Sequence, residues 1–157
     1  MYQKILVPVD GSELAECVLP HTESIAKGCG VKNVIFVRVA EPVNIPIYGG
    51  EDFALSAEDF KSLERESITT AESYLNQLVN RVKYDGVNIQ SEVLMRGQAA
   101  NMIADYATKN DVDLIIISTH GRSGISRWVL GSVADKILRS ACVPVLMVRA
   151  PGCVPSI

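Results

Sequence analysis

At 157 residues with 48% hydrophobic side chains, the chain has apolar material for one well-buried domain and too little length for two, so residues 1–157 are expected to form a single domain. Fifteen basic against 18 acidic residues, a net charge of -3, give no broad footprint for DNA or RNA, although Arg122, Arg127 and Lys136 could together meet a small anion. The first apolar run is broken by Pro8 and Asp10, far short of a signal h-region or a membrane span, which predicts a cytoplasmic chain with no membrane partner. Cys17, Cys29, Cys142 and Cys153 form no C-x-x-C pair and are read as reduced packing residues.

In chain order, Lys4-Ile5-Leu6-Val7-Pro8-Val9 reads as a central strand that leaves the sheet at Pro8, where a ladder donor is missing. Asp10-Gly11-Ser12-Glu13 gives a turn, an N-cap at Ser12 and an acidic first turn. Apolar positions 14, 15, 18, 19, 25 and 26 continue as a helix that Pro20 kinks or rearranges, and Gly28-Cys29-Gly30 ends it. Val34 to Val39 is the second strand. A strand, helix, strand unit of this kind is right-handed and parallel, which puts Asp10 and Val39 on the same edge of the sheet.

Glu41 to Ser56 holds Pro42, Pro46, Gly49 and Gly50 without periodicity and reads as a long loop that could act as a lid. Ala57 to Tyr84 is an amphipathic helix with Phe60, Leu63, Ala71, Leu75, Leu78 and Val82 on one stripe, stopped by Asp85-Gly86. Val87 to Met95 alternates as a third strand, and Gly97 begins a helix carrying Ala100, Ile103, Ala104 and Ala107. Leu114 to Ile117 is a fourth strand, buried on both faces, and Val143 to Val148 a fifth. Strands alternating with helices throughout predict a doubly wound parallel α/β sheet with ligands at the carboxyl ends of its strands.

The stretch after the fourth strand carries the chemistry. Ser118-Thr119-His120-Gly121-Arg122-Ser123-Gly124 is a polar, glycine-containing loop, and Gly131 precedes Ser132-x-x-Asp135, read as a variant capping box that opens a helix. Amides near glycines and a helix N-terminus suit an anion such as phosphate, while a plain βα turn without a ligand has the same composition.

The start Ile5-Leu6-Val7-Pro8-Val9-Asp10-Gly11-Ser12, the loop Ser118-x-x-Gly121 followed by Gly131-Ser132, and the ending Cys142-Val143-Pro144-Val145-Leu146-Met147-Val148-Arg149 together resemble the universal stress protein family over essentially the whole chain. The loop is similar to the family's G-x-x-G-x9-G-[ST] signature, which marks members that bind ATP; Ser118 stands where the signature has its first glycine. The resemblance implies a five-stranded sheet ordered 3-2-1-4-5 with helices on both faces, a homodimer, and ATP, with Mg²⁺ or Mn²⁺, between the first and fourth strands.

On that resemblance Asp10 corresponds to the acidic residue that holds the ribose hydroxyls, a role a carboxylate fills by accepting two short hydrogen bonds; its rival role is the turn before Gly11. Val39 corresponds to the residue whose backbone meets the adenine edge, and Pro8, Val9 and the aliphatic strand ends would form the slot for the ring. Thr119, Gly121, Arg122, Gly131, Ser132 and Val133 belong to the phosphate loop, with amides and one hydroxyl as donors. The Ser118 side chain either narrows the approach to the ribose or donates to it.

His120 lies in the loop but has no orienting acid or nucleophile beside it, and no Gly-Lys-[Ser/Thr] supplies a lysine to phosphates, so no catalytic residues are assigned. His21 is read as solvated. The functions that remain are an ATP-binding, non-metabolic stress or signalling module, a stress protein working through protein contacts alone, and a slow ATPase. In the order 3-2-1-4-5 the strand Val143 to Val148 is an edge, and pairing with its own copy would cover it; a monomer shielded by the tail is the alternative.

Overall fold

The computed structural model describes residues 1–40, 57–95, 97–119 and 131–149. Five parallel strands form one sheet in the order β3-β2-β1-β4-β5. They are β1 (Lys4–Pro8), β2 (Asn33–Val39), β3 (Asn88–Leu94), β4 (Leu114–Ser118) and β5 (Val145–Val148). The helices are α1 (Glu13–Glu16), α2 (Leu19–Cys29), α3 (Ala57–Arg81), α4 (Ala99–Lys109) and α5 (Ser132–Ser140). This is the doubly wound parallel order that the alternation of strands and helices, with the family resemblance, predicts.

The core explains the order. Alternate residues of the inner strands divide between two apolar clusters, as a two-residue side-chain period requires. Ile5, Val7, Val34, Phe36, Leu114 and Ile116 face Val18 and Ala26 together with Leu75 and Leu78 of α3. Leu6, Ile35, Val37, Ile115 and Ile117 face Ala100, Ile103 and Ala107 of α4 and Ala134 and Ile137 of α5. Strands buried on both faces must be unbroken apolar runs, which β1 and β4 are. Burying each Ile or Leu contributes about 1.5–3 kcal/mol, so these strands occupy the middle. β3, with exposed and half-buried residues alternating, takes an edge.

Several local readings are corrected. The first helix is two: Ser12 caps α1, its Oγ accepting from the Ala15 amide at 3.1 Å, and Pro20 sits in the first turn of α2, where its missing N–H costs nothing. Gly30 closes α2 in the left-handed region at φ 64°. α3 ends at Arg81, before Tyr84. At about 1.5 Å per residue it is also longer than the strands it crosses, so Phe60 and Leu63 are exposed and its apolar stripe is buried only from Ala71 onward. Cys17 and Cys29 pack against the first cluster, whereas Cys142 is exposed. Cys153 and the segment from Glu41 to Ser56 lie outside the described residues. Asp113 latches the start of β1, its Oδ2 accepting from the amides of Gln3 (2.7 Å) and Lys4 (2.9 Å).

The connections from β1 run outward to β2 and β3, and from β4 outward to β5. Between β1 and β4 the winding changes direction, which opens a crevice beyond the carboxyl ends of these two strands. Among the described residues no helix is long and apolar enough to cross a membrane.

Candidate functional site

A cavity of about 310 Å³ lies in that crevice. Every sequence-predicted site residue that the structure describes lines it: Pro8, Val9 and Asp10 after β1, Val39 at the end of β2, Ser118 and Thr119 at the end of β4, and Gly131, Ser132 and Val133 at the start of α5. Gly121 and Arg122, with His120 and Arg127, lie outside the described residues. The convergence follows from the parallel order, because residues that end adjacent parallel strands end at the same level. Val9 N donates to Val37 O at 2.9 Å, carrying the β1–β2 ladder to the cavity rim.

The walls are of two kinds. Val37, Ile117 and Pro8 from the strands, with Ala99 and Ile103 of α4, give an apolar slot with the chemistry for a flat ring. Asp10, Arg38, Ser118, Thr119 and Ser132 supply polarity. Asp10 is held in an Asx turn: its Oδ1 accepts from Ser12 N (2.9 Å) and Ser12 Oγ (2.6 Å), while Gly11 takes φ 87°. The turn role of Asp10 is therefore real, and the same turn fixes the carboxylate at the cavity wall.

The Ser118 hydroxyl donates to the carbonyl of Leu14 in α1 at 3.0 Å, and the Cys17 thiol donates to it at 3.6 Å. That bond directs the hydroxyl toward α1.

At the start of α5 the capping box is not formed. Gly131, at φ -52° and ψ 134°, is the N-cap, and Ser132 is the first helical residue. Asp135 turns to Arg139 four residues on, at 3.0 Å. Nor is the Gly131 amide available as a phosphate donor, since it donates to Thr119 O at 2.8 Å. This bond ties the start of α5 to the end of β4. The amides of Ser132 and Val133, which helix geometry leaves without an intrahelical acceptor, remain at the cavity wall. α5 thus presents a helix N-terminus and its partial positive charge to the polar end of the crevice.

Sequence reasoning missed Ala15, Arg38, Ala99, Ile103 and Ala134 among the lining residues. Ala99 and Ile103 come from α4, whose approach to the crevice depends on helix packing with no local signature. Arg38 did leave a signal: a single charge inside the run Val34-Ile35-Phe36-Val37-Arg38-Val39. It is 7% exposed, and its guanidinium stacks over the ring of Tyr74, 5.1 Å from the centroid.

The Universal stress protein family model matches residues 1–149. The chain belongs to the universal stress protein family. Universal stress protein MJ0531 of Methanocaldococcus jannaschii is 33% identical over 153 residues, covering 96% of this chain and 84% of that protein. The solved structure of MJ0577 from the same archaeon superposes with a TM-score of 0.81 at 26% identity, covering 97% and 99% of the two chains. A universal stress protein solved in complex with cAMP shares the fold, with a TM-score of 0.65 at 22% identity over 95% and 98% of the chains. The five-stranded parallel sheet and its strand order are thus those of a universal stress protein.

Proposed function

We propose that this chain is an adenine-nucleotide-binding universal stress protein, with ATP as its ligand, acting as a non-metabolic stress-response or signalling module of one domain in the cytoplasm. The observation that carries the proposal is the convergence of Asp10, the apolar slot and the α5 N-terminus on one cavity of about 310 Å³, within the size range of small-ligand sites. The donor set fits the three parts of a nucleotide. A carboxylate pinned by Ser12 suits a diol; Pro8, Val37, Ile103 and Ile117 with the Val39 backbone suit a purine; the Ser132 and Val133 amides, with the Thr119 and Ser132 hydroxyls, suit phosphate oxygens. The cAMP complex of a fold neighbour is consistent with an adenine nucleotide as the ligand class.

In this reading the chain's own residues bind and orient. Asp10, pinned by Ser12, fixes the sugar, the slot excludes water from the base, and the α5 N-terminus takes negative charge. Mg²⁺ or Mn²⁺ would arrive with the nucleotide, held by its phosphates and water. Bound nucleotide supplies an occupancy signal and no chemical step is assigned to it. We further infer that β5, at the sheet edge, pairs with a second copy to form a homodimer.

Calorimetric titration of ATP into protein stripped of nucleotide tests the proposal, with saturable one-to-one binding expected. The absence of binding would favour the second reading, a stress protein working through protein contacts alone, for which the side chain at Ser118 is the specific observation. Release of phosphate during the same experiment would indicate a slow ATPase.

A further inference from the structure

Tyr74 is outside the cavity lining, yet it touches one charged lining residue, Arg38, and is linked to a second, Asp10, through Glu16 and α1. On one side the guanidinium of Arg38, itself a lining residue, lies over the Tyr74 ring. On the other, Tyr74 Oη donates to Glu16 Oε1 at 3.0 Å. Glu16 is the last residue of α1, and its Oε2 also accepts from Arg81 Nη2 at 2.6 Å, one turn pair along α3. Ser12, the N-cap of α1, donates to Asp10 through both its amide and its hydroxyl. α1 spans four residues, too short to absorb a displacement at one end without moving the other. Burial, then the hydrogen bond to the Glu16 carboxylate and the charges of Glu16 and Asp10, hold the Tyr74 phenol well above the ordinary tyrosine range.

We propose that Tyr74 is a positioning residue for the cavity, its ring holding Arg38 and its hydroxyl, through Glu16 and α1, holding Asp10, so that two charged residues of the lining are set together. The inference rests on the nucleotide reading and adds a residue on α3 whose effect on binding passes through others. A tyrosine that only filled the cluster beneath β2 would lose nothing specific when its hydroxyl is removed, since the ring does the packing.

The test is Tyr74→Phe, which keeps the ring under Arg38 and deletes the bond to Glu16. Affinities for ATP, 2′-deoxy-ATP and inorganic triphosphate are measured by titration calorimetry. The expected result is a loss of threefold or more for ATP, a narrower preference for ATP over its deoxy analogue, and triphosphate affinity within twofold of the parent. A loss below threefold for ATP, or an equal loss for ATP and triphosphate, would overturn the assignment. Should the variant fold poorly by circular dichroism, Glu16→Ala, which deletes the acceptor of the same bond and leaves the ring in place, takes its place with the same thresholds. Parent protein that binds no ATP overturns the nucleotide reading and this inference with it; parent that binds ATP beside a variant unchanged in affinity and sugar preference overturns this inference alone.

Discussion

Ser118 Oγ, at the carboxyl end of β4, donates a 3.0 Å hydrogen bond to the carbonyl of Leu14 in α1. A helix as short as α1 leaves most of its carbonyls without helical partners, and this bond satisfies one of them while joining the β4 end to the element that carries Ser12 and Glu16. Ser118→Ala should therefore act on stability more than on ligand. The expected cost is about 1 kcal/mol, the usual net worth of one hydrogen bond, read as a shift of the urea midpoint at constant slope. ATP affinity should stay within twofold. A fivefold fall in affinity at unchanged stability would mean that the hydroxyl serves the nucleotide.

Gly131→Val should separate the cradle from the helix behind it. The backbone at φ -52° and ψ 134° is open to any residue, and the amide bond to Thr119 does not involve the side chain, so α5 should still start where it does. A branched side chain at the cavity wall would stand in front of the Ser132 and Val133 amides. ATP affinity should drop by tenfold or more, with the far-ultraviolet circular dichroism unchanged. Unaltered affinity would refute the phosphate end of the site.

Asp10→Ala should weaken ATP more than inorganic triphosphate, because the sugar is the part of the nucleotide that triphosphate lacks. The substitution also removes the acceptor of the Ser12 turn, so a loss of about 1 kcal/mol in stability is expected alongside. Asp10→Asn, which keeps a side-chain oxygen for the turn, should retain most of that stability and still bind ATP less well. Equal losses for ATP and triphosphate would exclude Asp10 as a sugar contact.

What could be read beforehand divides along physical lines. β1, β2 and β4 were legible because a strand buried on both faces can only be an apolar run, and the site residues at their ends then follow from the parallel order. Capping at α5 was misread because Ser132-x-x-Asp135 satisfies the spacing of a capping box, while the choice of N-cap is made by a tertiary bond, Gly131 to Thr119. Phe60 and Leu63 fit the helical stripe, but burial depends on how far the sheet extends beneath it. The contact of Tyr74 with Glu16 spans 58 positions and leaves no local pattern. Of that group only Arg38 marked itself, as a charge among β-branched neighbours.

Tyr84 provides an alkaline probe of the fold. Its hydroxyl donates to Leu19 O at 3.0 Å, and burial foremost, with the nearby Glu23 charge, pushes its pKa up to about 12 from 10.0. The folded state thus keeps a proton that the unfolded chain gives up first. Its stabilising contribution is complete below pH 10 and is lost as pH rises toward 12. Tyr84→Phe should cost about 1 kcal/mol at neutral pH and show a shallower loss of stability between pH 10 and 12 than the parent. Parallel pH profiles for the two proteins would assign the alkaline loss to other groups, among them Tyr74.

The final prediction concerns the edge at β5. Pro144 O accepts from Ile115 N and Val148 O from Thr119 N, so alternate residues of this segment point their backbone groups at β4. By the alternation of a parallel ladder, Val145 and Met147 direct their amides and carbonyls outward. Pro144 precedes the strand and belongs to the inward-facing set, so it guards neither outward position. Pairing with a second β5 across a two-fold axis would satisfy these groups, and the half-buried Val145, Leu146 and Met147 would become fully covered in the same contact. Light scattering should give a mass of two 17.0 kDa chains at micromolar concentration. Met147→Glu should shift it toward one chain, with ATP affinity reduced only to the extent that dimerisation supports the cavity. A parent mass of one chain across that range would overturn the assignment.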